Sequence, residues 1–431
     1  MTELFIIGAG ASGMIAAIEA SKQALKSGKN IKITMLEHNT VPGKKLLATG
    51  NGRCNLTNRQ LNINCFRSHD IDSLKECLNG SSADDIISYF NDLGMLCTDK
   101  NGYIYPYSCQ ASTVNDVLLG ACISYGVEMV MDAHVISVEK QKSEHKSSGG
   151  FIIKTSEGYI DDNGNRKKKR CEYRADKVIL ACGSKAYSKL GSDGSGYNIA
   201  GGLGLKLIEV VPALTGLRCR EKTYTLAAGV RTYAEIKLYV DQELMAVDRG
   251  ELQLTEYGIS GIPVFQVSRY ASYGIADGCK VSAYIDFMPD IDRATLQSIL
   301  ERNIKINKDA DIYAVLCGMV NSKLVRKLLS DCRMKENMPA KDATEKDLLD
   351  IISAIKNHYT VIIGTNDFEQ SQVCAGGVKL SEIDENFQSK KLPSLYITGE
   401  ILDVDGMCGG YNLHWAWLSG IKAGRAVVNE V

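Results

Sequence analysis

The sequence predicts an α/β protein in three parts: a Rossmann-like domain with a parallel sheet, an inserted β domain, and a small helical domain. Three observations predict it. The chain opens with a strand, a glycine turn, a helix and a second strand ending at Glu37. From about Lys206 to Asp286 it changes to short strand-like runs between Gly-bearing turns. From Asp292 to Tyr359 the apolar period becomes helical. The boundaries expected are 1–205 and 373–431 for the first domain, 206–290 and 358–372 for the β domain, and 291–357 for the helical one.

Leu4-Phe5-Ile6-Ile7 is apolar without alternation, as in a strand buried on both faces. A helix follows from Met14 to about Lys26, then the strand Ile31–Leu36. Val127–Val138 and Phe151–Thr155 alternate like antiparallel strands. Two polar stretches, Gln141–Gly150 and Glu157–Arg170, lie between and after them. The basic run Arg166–Arg170 is isolated and has no interleaved aromatics, so it is expected at a solvated hairpin tip, not in a nucleic-acid groove. Val178–Ala181 returns as a buried strand.

Glu235–Val240 and Lys280–Phe287 are strand-like. Leu324, Val325, Leu328 and Leu329 share a helix face, as do Leu348, Ile351, Ile352 and Ile355. Thr344-x-x-Asp347 has capping-box spacing. Near Val373 the chain re-enters the first domain, with a strand at Ser394–Ile397 and a helix from about Leu413 to Val428.

Composition excludes several classes. With 431 residues, 45% hydrophobic and 23% charged, the chain is too apolar for disorder. Forty Gly against seven Pro point to tight turns and close backbone approach to a ligand. A net charge of −1 favours neither nucleic acid nor an anionic membrane. The 14 Cys include no C-x-x-C pair, which excludes common zinc-ribbon and thioredoxin spacings. Reduced thiols and a cytoplasmic location are expected. Met1–Ala20 has Glu3 where a signal peptide has basic residues, and no apolar run reaches 18 residues.

Gly8-x-Gly10-x-x-Gly13 stands between the first strand and its helix. Gly8 suits the tight turn, Gly10 the approach of a pyrophosphate to the backbone, and Gly13 close helix–strand packing. The helix N-terminus offers free N–H groups to phosphates. Glu37, 24 residues past Gly13, is placed to accept ribose hydroxyls. This motif leaves FAD and NAD both open. Two further segments favour a flavin: the Gly-rich stretch Pro42–Asn58, and Thr398–Gly420, where Gly409-Gly410 open a helix. Such a helix start can face the flavin N1/C2 edge and stabilise the reduced ring. Ala181-Cys182-Gly183 is a strand end fit to approach the cofactor.

These residues resemble the BaiN/YhiN-like family of FAD-dependent oxidoreductases, within the glutathione-reductase-like flavoproteins. The blocks that carry the resemblance are Gly8–Gly13, Lys44–Asn58, Gly102–Val117, Ala181–Gly196, Leu254–Ser268 and Ala375–Gly424. It implies a discontinuous FAD domain, a β-barrel-like insertion and a helical insertion. It also implies FAD contacts at Gly8, Gly10, Ala11, Ser12, Gly13, Glu37 and His38. Others fall at Lys45, Asn51, Gly52, Arg53, Cys54, Val135, Ala181, Cys182 and Gly183. The last group is Gly399, Glu400, Asp405, Gly409, Gly410, Asn412 and Leu413. Two positions depart from the family: Ala186–Gly191, where Ser-Tyr-Pro-Lys-Thr-Gly is common, and His414, where Gln is usual.

The resemblance implies NAD(P)H-driven reduction of an activated C=C bond in a hydrophobic small molecule such as a 3-oxo bile acid. Tyr187, Tyr411 and His414 are the candidate acids. A helix dipole at His414 would lower its pKa. No second G-x-G-x-x-G occurs after Gly13, so NADH or NADPH is expected to visit only transiently. Cys54 and Cys408 lie in the two flavin-side loops but lack the close spacing of a redox pair. No metal, nucleic-acid or membrane partner is expected, and the oligomeric state is open. The alternatives are a flavoprotein acting on tRNA, and an FAD-loaded redox or electron-transfer protein.

Overall fold

The computed structural model describes residues 1–141, 150–160, 165–220 and 223–429. The chain divides into two compact units. Unit 1 is Met1–Val210 with Val373–Val431, and unit 2 is Val211–Gln372. Each has its own hydrophobic core.

Unit 1 is built on a five-stranded sheet in the order Leu395–Ile397, Lys177–Leu180, Thr2–Ile7, Ile31–Leu36, Glu128–Val130. All four pairings are parallel, with Ile6 between Ile179 and Met35. Parallel strands need cover on both faces, which explains the unalternated run Leu4–Ile7, buried at every position.

Two helices pack backbone to backbone in this unit, Ala11–Ser27 and Tyr411–Asn429. Gly420 and Gly424 make that approach possible. A Cβ on either would lie 2.5 Å from the carbonyl oxygen of Ser12 or Ala16. Beside them Arg425 Nε reaches the buried Glu19 carboxylate at 2.7 Å. Both tryptophans of the chain, Trp415 and Trp417, are buried on the C-terminal helix. Their indole N–H groups donate to Gly399 O (3.1 Å) and Leu56 O (3.0 Å).

One sequence expectation changes here and a second is refined. Val127–Val138 is not one antiparallel strand. Glu128–Val130 joins the parallel sheet beside Ile31–Leu36, and Ala133–Lys140 starts an antiparallel meander with Phe151–Ile160 and Arg166–Ala175. Asp132, at φ 55°, turns the chain between them. The basic run Arg166–Arg170 lies, as expected, at the solvated end of a hairpin, but as strand and not as the turn itself. It is the exposed first half of an edge strand, paired with Ser156–Ile160. A row of Lys and Arg on an edge blocks pairing with other chains. Of the polar stretch Gln141–Gly150, residues 142–149 lie outside the described residues.

Unit 2 contains a closed six-stranded barrel. Its order is Leu217–Cys219, Gly258–Gly261, Glu243–Leu254, Arg231–Val240, Val281–Asp286, His358–Thr365, and back to the first. Every pairing is antiparallel. Helix Ile262–Ala276 lies against the barrel, where Gly274 leaves room for Val240; a Cβ there would be 2.9 Å from that side chain. Helices Arg293–Ile306, Ile312–Cys317, Ser322–Asp331 and Glu345–Lys356 share the barrel's core through Leu296, Leu328 and Ile352. The capping box of the last helix forms as the sequence predicts: Thr344 and Asp347 exchange side-chain-to-backbone hydrogen bonds of 2.9 and 3.2 Å.

Candidate functional site

The three glycines of the first turn differ in what surrounds them. Gly8 has φ 107°, and a Cβ there would lie 2.4 Å from the Ala181 carbonyl oxygen. At Gly13 a Cβ would lie 2.0 Å from Gly8 O. Gly10 is the opposite case, because nothing lies within 4 Å of where its Cβ would be. It is the N-cap of the 17-residue helix Ala11–Ser27, with no side-chain cap and no acidic residue in the first turn. Uncapped N–H groups and the positive helix end therefore face an open cradle.

Glu37 closes the turn. Its Oε2 accepts the Ala9 N–H at 2.8 Å, and its Oε1 accepts the N–H and Nδ2 of Asn39 at 2.9 and 2.8 Å. The cleft continues along Lys45, whose ammonium sits 2.6 Å from Glu400 Oε2. Ser184 Oγ donates to the same oxygen at 3.2 Å. At the other end are His38, His134 and Asp193. Burial pushes the Asp193 carboxyl up, but the Ser195 hydrogen bonds and the two histidines outweigh it and hold it below the usual range. Burial pushes the Cys182 thiol up to about 12, so it stays neutral.

Fourteen of the sequence-predicted residues line this one cleft. Gly8, Gly10, Ala11 and Ser12 form its floor, with Glu37, His38 and Lys45 beside them. Val135, Ala181, Cys182 and Gly183 come from the meander and the sheet edge. Glu400, Asn412 and Leu413 come from the C-terminal segment. Gly13 and Gly399 do not line it; they allow the packing behind it. A Cβ on Gly399 would meet Ser12 Oγ at 2.6 Å. Asn39, His134, Leu190 to Asp193 and Ser195 also line the cleft. Sequence reasoning noted Leu190 and Gly191 only as a departure from the family and did not single out the others; the Gly-rich 181–196 block was the signal for Ser192, Asp193 and Ser195, while Asn39 and His134 had none.

The remaining predicted residues sit elsewhere. Asn51, Gly52 and Arg53 follow helix Lys44–Ala48 without lining the cleft. Cys54 is fully buried and its thiol is pushed up to about 12 by burial, which removes thiolate reactivity. Asp405 is buried in a two-residue strand beside Phe66–Arg67. Gly409 and Gly410 lie against Asn55–Asn58. Asn58 Nδ2 donates to Gly409 O at 3.1 Å, and a Cβ on Gly410 would meet Asn55 Oδ1 at 2.8 Å.

None of the three candidate acids lines the cleft. Tyr187 is 36% exposed, at φ 59°. Tyr411 is buried against Phe66, ring centroids 5.8 Å apart, with its hydroxyl donating to Gln60 O at 3.4 Å. His414 is wholly buried, with Nδ1 2.8 Å from Thr57 Oγ1 and Nε2 2.6 Å from Ser81 Oγ. Its pKa falls to about 4, as the sequence suggests in direction, but the cause is burial.

Comparison with known proteins matches residues 2–426 to the HI0933-like protein Rossmann domain family. The chain is 38% identical over 431 residues to the 3-dehydro-bile acid delta(4,6)-reductase of Clostridium scindens, covering all of both chains. It is 27% identical over 421 residues to the ribosomal RNA dihydrouridine synthase of Escherichia coli, covering 97% of this chain and 96% of that one. The protein of the same name in Haemophilus influenzae is 26% identical over 442 residues, covering 100% and 99%.

Proposed function

The chain belongs to the HI0933-like Rossmann-domain family, and on that footing we propose that it is an FAD-dependent oxidoreductase. Its reaction is the NAD(P)H-driven reduction of a C=C bond conjugated to a carbonyl, in a 3-oxo bile-acid or steroid-like molecule. The observation that carries this reading is the end-to-end 38% identity to a reductase of 3-dehydro bile acids.

The residues of the cleft fit a dinucleotide. Gly10 leaves the space that a pyrophosphate needs, and the Ala11–Ser27 helix directs uncapped N–H groups into it. Glu37 holds the turn through one carboxylate oxygen, and in this reading its carboxylate also receives a ribose hydroxyl. Lys45, kept in place by Glu400 and Ser184, is a cation that stabilises negative charge developing in the cleft. When bound, FAD supplies hydride transfer between a reduced nicotinamide and the β-carbon of the enone. The hydride goes to the β-carbon and one proton goes to the α-carbon; in this reading Lys45 is the cleft cation placed to give that proton, since Tyr187, Tyr411 and His414 do not line the cleft.

A second substrate class is favoured by the two ribosomal RNA relatives. Making dihydrouridine also reduces a double bond conjugated to a carbonyl, so the same cleft chemistry serves both. One experiment separates them. The purified protein is reduced anaerobically with NADH or NADPH, then offered a Δ4,6-3-oxo bile acid or ribosomal RNA as oxidant. Reoxidation by the bile acid, with two hydrogens added to it, supports the first reading. Reoxidation by RNA alone supports the second, and a protein that binds no flavin overturns both.

A further inference from the structure

We propose that unit 1 carries a second pocket, which binds a neutral apolar molecule through a carbonyl oxygen, with the Ser81 hydroxyl as the donor. The pocket lies between residues 61–66 and the turn 78–81. It shares no lining residue with the dinucleotide cleft, so it does not depend on the flavin reading.

The walls are apolar. Leu61, Ile63, Phe66 and Leu78 line a space of 280 Å³, larger than the roughly 150 Å³ apolar cavity that accepts benzene. Leu61, Ile63 and Leu78 are only partly covered by the core, which leaves them apolar surface to bury on a ligand. Phe66 is buried and held from behind by Tyr411 and His414, ring centroids 5.8 and 6.3 Å away.

A buried polar chain ends on Ser81. Thr57 Oγ1 lies 2.8 Å from His414 Nδ1, and Ser81 Oγ lies 2.6 Å from His414 Nε2. Thr57 and His414 are both fully buried, whereas Ser81 is half-buried and lines the pocket. Burial keeps the ring neutral, so it has one N–H and one accepting nitrogen. Among the described residues the ring is the only side-chain partner of either hydroxyl. Hydrogen-bond accounting then fixes the directions. Thr57, with no water to turn to, donates to Nδ1; Nε2–H donates to Ser81 Oγ; and the Ser81 hydrogen is left for the pocket. A donor at the end of such a chain is polarised by the bonds behind it.

Charge narrows the ligand to a neutral acceptor. The cation on the lining, Lys75, is paired with Asp72 at 2.9 Å, and the histidine behind Ser81 is uncharged. A carboxylate would lose its hydration and gain no charge partner. A ketone or enone oxygen needs one donor, and an apolar ring attached to it fills the space between the four walls. The 3-oxo molecules of the proposed reaction belong to this class.

The test titrates the FAD-loaded full chain with cyclohexanone labelled with carbon-13 at the carbonyl, followed by NMR. Binding should saturate and shift the carbonyl resonance. Ser81→Ala should weaken it about fivefold, the scale of one neutral hydrogen bond, and abolish the shift. Ser81→Thr, which keeps a hydroxyl, should retain the shift. Methylenecyclohexane, with the oxygen replaced by carbon, should bind the native chain and Ser81→Ala alike, and Leu78→Trp should exclude both probes by filling the space. FAD content, read by absorbance, should stay unchanged in the Ser81 variants. The proposal is overturned if cyclohexanone does not saturate, if the shift survives in Ser81→Ala, or if cyclohexanecarboxylate binds more tightly than cyclohexanone.

Discussion

A side chain's effect depends on what its Cβ would meet, and the glycines make this testable. Gly10→Val adds a side chain to open space, so the apo fold should keep its melting temperature while the purified protein loses its flavin absorbance. Gly8→Val puts the same atoms 2.4 Å from a backbone oxygen at a φ of 107°, and soluble protein should be lost. If the two variants behave alike, the cleft is not where the phosphates go. Gly410→Val belongs with Gly8. Its Cβ would strike Asn55 and the Thr57 backbone, which predicts a stability loss of about 1–3 kcal/mol in denaturant titration, with any flavin loss following from it. The glycine motif and Glu37 were legible because their chemistry lies within 30 residues of chain. His414 was not. Its partners Thr57 and Ser81 are 357 and 333 residues away, and burial by such distant segments leaves no local pattern.

For the elements, the pair of helices Ala11–Ser27 and Tyr411–Asn429 forms one wall of the cleft through their first turns. One presents Ser12 to the cleft and the other presents Asn412 and Leu413. Gly424→Leu would overfill their contact, where a Cβ already meets Ala16 O at 2.5 Å. Calorimetry should register a loss of about 1–3 kcal/mol, and FAD affinity should fall with it although residue 424 does not line the cleft. Unchanged affinity would mean that helix spacing does not set the site. The Gly420-x-x-x-Gly424 spacing was present in the sequence as the sign of this close approach. The edge strand Arg166–Ala175 shows the opposite limit. A run of five basic residues looks like loop by composition, and only its pairing with Ser156–Ile160 makes it strand.

At the scale of the molecule, among the described residues each unit holds one buried histidine that burial keeps neutral, His414 in unit 1 and His358 in unit 2. Burial lowers both to about 4, from an ordinary value of 6.5. Because the folded values are depressed, their stability contribution is complete above pH 6.5 and is lost as pH falls towards 4. Each is worth on the order of 3 kcal/mol across that window. Circular dichroism of urea unfolding at pH 7 and about pH 4.5, near the lower end of that window, should show a large drop, and His358→Gln and His414→Gln should each flatten the pH dependence. A pH-independent midpoint would contradict the burial argument. The order of β, helical and returning segments was readable from periodicity. The barrel-like insertion, with 358–372 returning to it, came from the family resemblance and not from periodicity, because the strand His358–Thr365 closes it from beyond four helices, and register between such distant segments has no local signature.

The placement of Trp415 and Trp417 has an optical consequence. All indole emission of the chain arises from one helix of unit 1, whose first turns line the cleft at Asn412, Leu413 and Ala416. An isoalloxazine absorbs where indole emits, so loading FAD should quench that emission and releasing it should restore it. Unit 2 contains no tryptophan, and its unfolding should appear in the far-ultraviolet dichroism with little change in indole colour. The two units thus come with separate reporters, and no label has to be introduced to follow them one at a time.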